Sequence, residues 1–433
     1  MVSTLTPEMA QPQGRPNLLY RRLWRWHFYA AFLVIPFVIL QSITGTLYLW
    51  QDSWADWAHP QLRFVQPQAA RQSADAQLAA ARAQYPHAQP TLMQLADHPR
   101  RSTQIFFRAA NAAPAGLEFP VFVDPYTAQV LGSVSAWSWM PGWTRKVHGG
   151  WPLGKPGSWL LELGACWAVV MILTGLYLWW PRDRSFLRAT FPRFGEGRRT
   201  LILDLHACVA MWCSVVVLVF LVTALPWTDF WGQKVLVPLQ NAAGQVSPFM
   251  KALRARSVPV EGAVPMRIED AVLQARARGL QGTLDVSLLG RADSALWLRN
   301  RMPRASQEHA LAFDRYSHQL VEHTRWQDYP MIPRAVAVGV DLHEGSYFGR
   351  ANRWLNTAVS AALLWTVGTG FVSWWMRRPQ GRLGAPVRSQ IRLPRGLIAA
   401  ALVLCLLLPM LGLSVLALWA LYFFRPLSRR LMA

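Results

Sequence analysis

Five long apolar stretches constrain this chain more than any other feature. They are Trp26–Trp50, Gly157–Trp180, Leu205–Thr228, Trp354–Met376 and Gly396–Phe424. Each has at least the ~20 residues that a helix needs to cross a bilayer. Charged residues make up 15% of the 433, against a usual share of about 25%, which excludes a disordered chain. The first stretch follows 25 residues that include Pro7, Pro12 and Pro16. It is too long for a signal-peptide core and lacks a small-residue cleavage site, so it is expected to be a retained anchor.

The net charge of +21 would ordinarily suggest nucleic acid as a partner. Its distribution argues against that. Residues 1–25, 181–199, 377–395 and 425–433 hold nineteen arginines against only Glu8, Asp183 and Glu196. By the positive-inside rule these segments face the cytoplasm, so the charge reports topology and no nucleic-acid partner is expected. The two long polar stretches then lie outside, which in a bacterium means the periplasmic side of the inner membrane.

The expected order is a cytoplasmic tail (1–25), span one (26–50), a periplasmic domain (51–156) and span two (157–180). A basic cytoplasmic loop (181–204), span three (205–228), a second periplasmic domain (229–353) and span four (354–376) follow. A second basic loop (377–395), the fifth apolar segment (396–424) and a tail (425–433) end the chain. Spanning once, the fifth segment would put Arg425, Arg429 and Arg430 outside. Pro409 and Gly412 near its middle would suit a re-entrant hairpin, and the sequence leaves both readings open.

The spans repeat. His27 is followed by Thr44-Gly45 and His206 by Thr223-Ala224, both after 17 residues. His148 is followed by Thr174-Gly175 and His343 by Thr369-Gly370, both after 26. Counted from His148 and His343, a glycine recurs at +6, tryptophans at +11 and +32 and an arginine at +34. The polar stretches repeat too: Phe122–Leu131 and Ala312–Val321 each read as strand, Asp-x-Tyr-Ser/Thr turn and strand. Helix-like runs precede them at Ala74–Tyr85 and Ile268–Arg278, and short strands at Gln104–Arg108 and Ala295–Arg299. The expected fold class is therefore a membrane α-helical bundle with two periplasmic α+β domains, an internal duplication of helix, outer domain and helix.

The stretch VDPYTAQVLG (123–132) resembles the PepSY domain signature. LHACVAMW, KVHGGWPLG, DLHEGSYFG and TGLYLWWPR resemble the PepSY-associated transmembrane helix family over about residues 18–380. That family includes inner-membrane ferric-siderophore reductases with two b-type haems. Ala128 stands where the signature usually has glycine, and Arg315 and His318 are less typical of it.

Of the ten histidines, His59, His87, His98, His309, His318 and His323 fall in the outer segments and are expected to be surface or turn residues. His318 and His323, five apart, suit no standard metal site. The other four obey the repeat and sit at span ends. A polar ring inside a bundle is costly unless paired or ligated, and neutral imidazole is a common axial ligand of haem. Symmetry, together with the resemblance, assigns His27 with His206 to a cytoplasm-side haem b and His148 with His343 to a periplasm-side one. Cys166, Cys208, Cys213 and Cys405 lie in apolar runs, and no CxxC or CxxCH occurs. This excludes zinc ribbons and covalent haem and leaves no disulfide framework.

Gly45, Gly175 and Gly370 are expected to allow close packing of helices or of a porphyrin. Trp24, Trp26, Trp50, Trp151, Trp179, Trp180, Trp374 and Trp375 are expected to form interface belts. Arg22, Arg25, Arg145 and Lys146 lie near the histidine ends and are candidates for haem propionates. Glu162 is a carboxylate inside a span, with tuning, proton relay or an interfacial place as its readings. No dinucleotide fingerprint occurs, so electrons are expected from a separate cytoplasmic reductase or a membrane quinol. The resemblance implies a ferric siderophore as acceptor, with Trp137, Trp139, Trp143 and Trp326 beside Arg145 and Lys146 as a docking surface. Another periplasmic acceptor, or a non-redox PepSY scaffold or importer, are the alternatives. No catalytic residue is assigned.

Overall fold

A computed structural model describes residues 18–109, 118–182, 184–289, 292–388 and 391–431. The expected tail residues 1–17, with Glu8 and the three prolines, lie outside the described residues. So do Asp183 and the side chains of Arg425, Arg429 and Arg430.

In chain order the main elements are α1 (Leu18–Leu49), α2 (Ala74–Gln84), β1 (Ala88–Leu95), β2 (Thr103–Ala109), β3 (Phe119–Val123), β4 (Val130–Ser133), α3 (Met140–His148) and α4 (Lys155–Trp179). A second series follows: α5 (Arg198–Ala224), α6 (Ile268–Ala277), β5 (Thr283–Ser287), β6 (Leu296–Arg301), β7 (Ala310–Phe313), β8 (Leu320–Thr324), α7 (Met331–His343) and α8 (Arg350–Arg377). Then come α9 (Arg395–Leu407) and α10 (Pro409–Leu431). Helices α1, α4, α5 and α8 are long and apolar enough to cross a membrane. The first begins at Leu18, so Arg21, Arg22 and Arg25 of the expected tail are already helical.

The fifth apolar segment is not one straight helix. Its axis turns through 118° between α9 and α10. Pro409 opens the second helix, and Leu408 before it leaves the helical region at φ −120° and ψ 81°, as a residue preceding proline is driven to do. Gly412 completes the turn: a Cβ there would stand 3.0 Å from the Cys405 carbonyl.

The chain divides into two compact units. One contains residues 18–35, 166–212 and 366 onward, with the arginine-rich loops and the bent pair. In it Arg193 clasps Asp204 (Nε–Oδ2 2.8 Å, Nη2–Oδ1 3.0 Å), and Trp167 Nε1 donates to Ser414 Oγ at 3.1 Å.

The other unit, residues 36–165 and 213–365, holds the sheet. Here the sequence expectation needs correction. The two polar stretches do not form separate sheets. Their strands make one antiparallel eight-stranded sheet in the order β4-β3-β2-β1-β5-β6-β7-β8. The join is β1 with β5, Leu92 opposite Ser287 through Leu95 opposite Leu284. One face is covered by α2 and α6, whose Leu78, Ala81, Ala271 and Ala275 share a core with Met93, Phe107, Val286 and Phe313. That single core spans both halves, because four strands and one helix alone would leave an apolar edge open.

The Asp-x-Tyr turns match in detail. Asp124 Oδ1 accepts from the Tyr126 amide, and Asp314 Oδ1 from that of Tyr316, both at 2.8 Å. Ala128 and His318 then occupy equivalent left-handed positions, at φ 58° and 59°. His318 is thus a turn residue, not half of a pair with His323. The ring near His323 is His309, 5.8 Å away between centroids.

Candidate functional site

The recurring spacings become contacts. Within the first half, each histidine packs against the Thr-Gly step on the other helix. His27 of α1 donates from Nδ1 to the Met171 carbonyl of α4 at 3.0 Å, with Thr174 Oγ1 at 3.2 Å. His148, closing α3, places Nδ1 2.9 Å from Thr44 Oγ1 of α1. The Thr44 hydroxyl gives its own proton to the Leu40 carbonyl at 2.7 Å, so it accepts from the imidazole.

The second half repeats this. His206 of α5 donates from Nδ1 to the Thr366 carbonyl of α8 at 2.9 Å. His343, closing α7, places Nδ1 3.2 Å from Thr223 Oγ1 of α5, whose hydroxyl is given to the Val219 carbonyl at 2.9 Å.

Glycine makes the close approach possible. A Cβ on Gly175 would stand 3.1 Å from His27 Cε1, on Gly45 3.2 Å from His148 Cε1, and on Gly370 3.0 Å from His206 Cε1. The fourth step has Ala224. There the space opens on the other side, where Gly339 of α7 would bring a Cβ within 3.0 Å of Thr223 Cγ2.

The result fixes the chemistry of each ring. A carbonyl can only accept, so Nδ1 carries the proton and the lone pair sits on Nε2. No hydrogen bond engages Nε2 of these four histidines among the described residues. A partner on Nδ1 that orients the ring and leaves Nε2 open is the usual arrangement around metal-bound imidazole.

Two of the histidines also meet, within one unit. His148 and His343 lie with ring centroids 6.3 Å apart and planes at 69°. Burial lowers the pKa of His148 to about 4, and the neighbouring His343 adds to the effect. Burial likewise lowers that of His343. Both rings are therefore neutral at physiological pH, the ligating form. His27 and His206 are within electrostatic reach of one another.

Other expectations fare differently. Arg22 donates to the Ile391 carbonyl and Arg25 to that of Pro386 at 2.5 Å, so these guanidinium groups tie α1 to the 377–395 loop. Arg145 and Lys146 remain exposed in the last turn of α3. Trp139 is 5% exposed and packs edge-on against Phe122, which removes it from a docking surface. Trp137 is exposed, with Trp151 beside it at 5.3 Å. Glu162 is fully buried, and its Oε2 accepts from the Trp231 amide at 3.0 Å.

Sequence reasoning missed a set of buried amides. Asn356 Nδ2 donates to the Leu342 and His343 carbonyls at 2.9 and 3.0 Å, and Asn352 Nδ2 to Leu342 at 3.1 Å. Gln41 Nε2 donates to the His148 carbonyl at 3.1 Å. Together they satisfy the carbonyls left open where α3 and α7 end. Two asparagines one helical turn apart inside an apolar helix were the available signal.

A family model described as the PepSY-associated TM region matches residues 24–377. The chain belongs to the PepSY-associated transmembrane family. It is a multi-pass membrane protein. His27, His148, His206 and His343 all fall inside the matched region. No curated protein matches the chain.

Proposed function

We propose that this member of the PepSY-associated family carries electrons across the bacterial inner membrane through two non-covalent b-type haems, from the cytoplasmic side or a quinol to a ferric siderophore in the periplasm. The carrying observation is the pair His148 and His343: rings 6.3 Å apart, each Nδ1 engaged by a threonine, each Nε2 open. Roughly 2 Å for each metal–nitrogen bond, plus about half a ring's width on either side, gives about 6 Å between centroids of two imidazoles on one metal. His27 and His206, whose Nδ1 atoms are likewise engaged, by the Met171 and Thr366 carbonyls, lie in the unit that holds the arginine-rich loops, which favours the cytoplasmic side for that pair. The matching series of elements and contacts favours an internal duplication, with each half contributing one histidine to each pair.

Bound haem would supply one-electron redox chemistry at each pair. The chain's own residues do the rest. Met171, Thr366, Thr44 and Thr223 hold the imidazole tautomers, and the glycine steps set how deep the His27, His148 and His206 rings sit. The surrounding apolar helices exclude water. Arg145 and Lys146, exposed at the end of α3, present positive charge to an anionic chelate. Adding one electron converts its Fe(III) to Fe(II), a softer ion that hard oxygen ligands hold less tightly.

A reduced-minus-oxidised absorption spectrum of the detergent-purified protein tests this, with the haem-to-protein ratio. Two low-spin b-type haems per chain, oxidised rapidly on adding a ferric siderophore, are expected. A colourless protein after expression with ample haem would overturn the reading.

A further inference from the structure

The arginine-rich loop after α4 builds a crevice that the electron-transfer reading does not use. It has a volume of about 820 Å³ and lies wholly within the first unit. Arg182, Arg184, Arg188 and Arg193 line it, together with apolar and aromatic side chains that include Tyr20 and Phe191. Two of the arginines are committed. Arg193 holds Asp204 and reaches Glu196. Arg182 caps the end of α4 through the Trp180 and Tyr177 carbonyls and lies over Tyr20.

The other two hold no carboxylate by an ion pair, although Arg184 is within electrostatic reach of Asp204. Arg184 Nη1 is buried with no hydrogen-bond partner, and exposed Arg188 makes no hydrogen bond or ion pair among the described residues. A buried guanidinium N–H left without an acceptor is destabilising, and more so for a charged group than for a neutral one. Such groups are rare in native proteins unless something fills the gap. An oxyanion is the acceptor that suits this wall best, where four arginines stand against Glu196. The apolar share of the lining suits a ligand that carries a hydrocarbon or ring next to that oxyanion.

We infer that this crevice binds a phosphate group borne on an amphiphilic or aromatic molecule, with Arg184 and Arg188 as its principal donors. Such chemistry comes from an anionic phospholipid headgroup or from a soluble nucleotide. The inference stands apart from haem: the test below reads binding and does not require a coloured protein.

The test uses the full chain, delipidated in detergent, and follows binding by thermophoresis. The probes are dioctanoyl-phosphatidylglycerol, dioctanoyl-phosphatidylcholine and AMP. Saturable binding of phosphatidylglycerol in preference to phosphatidylcholine assigns a lipid; saturable binding of AMP assigns a soluble phosphate. Either affinity should fall at least tenfold in Arg184→Gln and several-fold in Arg188→Gln. Arg378→Gln, which removes a cation stacked on Trp375 outside the crevice, should bind as the parent does. Should Arg184→Gln fail to fold, the exposed Arg188 carries the test. The inference is overturned if neither anionic probe saturates, if phosphatidylcholine binds equally well, if Arg188→Gln binds as the parent, or if Arg378→Gln weakens binding as much as the crevice variants.

Discussion

Asp75 and Glu269 cap each other's helices. Asp75, second residue of α2, accepts from the Ile268 and Glu269 amides of α6 at 3.0 and 2.9 Å. Glu269, second residue of α6, accepts from the Ala74 amide of α2 at 2.6 Å. Two helix N-termini, each with open amides and a partial positive charge, thus face one another across the sheet's midline, each supplied with a carboxylate from its counterpart.

Loss of either carboxylate should weaken both the cap and the seam between halves. Asp75→Ala is expected to cost about 1–2 kcal/mol and Glu269→Ala about 1 kcal/mol, the larger loss going with two amides rather than one. Thermal unfolding of the purified protein in detergent measures this. Equal midpoints for the parent and Asp75→Ala would show that the caps contribute nothing.

The two left-handed turn residues predict the opposite sign. Ala128 and His318 hold φ near +58° without being glycine, at a cost of about 1 kcal/mol each. Ala128→Gly and His318→Gly should each raise stability by up to roughly 0.5 kcal/mol once the entropy glycine adds to the unfolded chain is subtracted. A lowered melting midpoint in both variants would contradict the turn assignment.

Acid should loosen the second turn. Burial alone would raise the Asp314 carboxyl, but amides of Ser317, Val258 and Tyr316 donate to it and hold it below the usual aspartate range. A depressed folded pKa means that its contribution is complete above the ordinary aspartate value and is lost as pH falls through the depressed one. The stability of Asp314→Asn should therefore fall less between pH 5 and about 2 than that of the parent. Parallel curves would remove Asp314 from the account.

The glycine steps should respond to a single methyl group. In Gly370→Ala the new Cβ meets His206 at Cε1 and Nδ1, 3.0 and 3.1 Å away, so the ring must shift from the Thr366 carbonyl. One of the two expected haems should be lost or its midpoint potential displaced. Gly368→Ala, with open space around it, should match the parent in both readouts. Identical spectra and potentials for the Gly370 variant would separate the glycine from ring placement.

Removing a histidine gives the coarser test. His206→Ala and His343→Ala should each reduce the haem-to-protein ratio from two to one, at opposite ends of the proposed electron path. Retention of both haems in His206→Ala would sink the pairing of His27 with His206.

Much of this was legible because membrane helices announce themselves by length and apolarity, and because a repeat keeps register. The equal spacings from His27 to Thr44 and from His206 to Thr223 marked which residues act together. They did not say that each threonine serves the histidine of the neighbouring helix, since spacing along one helix carries no information about its partner. Gly175 read as a packing residue; its role as the notch for His27 needs the α1–α4 contact. The break at Leu408 was foreshadowed by Pro409, but its angle depends on Gly412 meeting Cys405. The merging of two sheets into one was hidden most deeply, because Leu92 pairs with Ser287 across a long stretch of chain and nothing local in either strand names the other.

That merging sets a timetable for synthesis. Strand β1 ends at Leu95 and its neighbour β5 begins at Thr283, so roughly 190 residues must be added before the central edge of the first half is covered. At ~5–20 residues per second, the nascent first half waits on the order of 10–40 s with a row of unpaired backbone groups and an unfinished apolar face. During that interval the growing chain is open to pairing with a second copy of itself. Chaperoning or rapid membrane insertion matters most at this stage of its life.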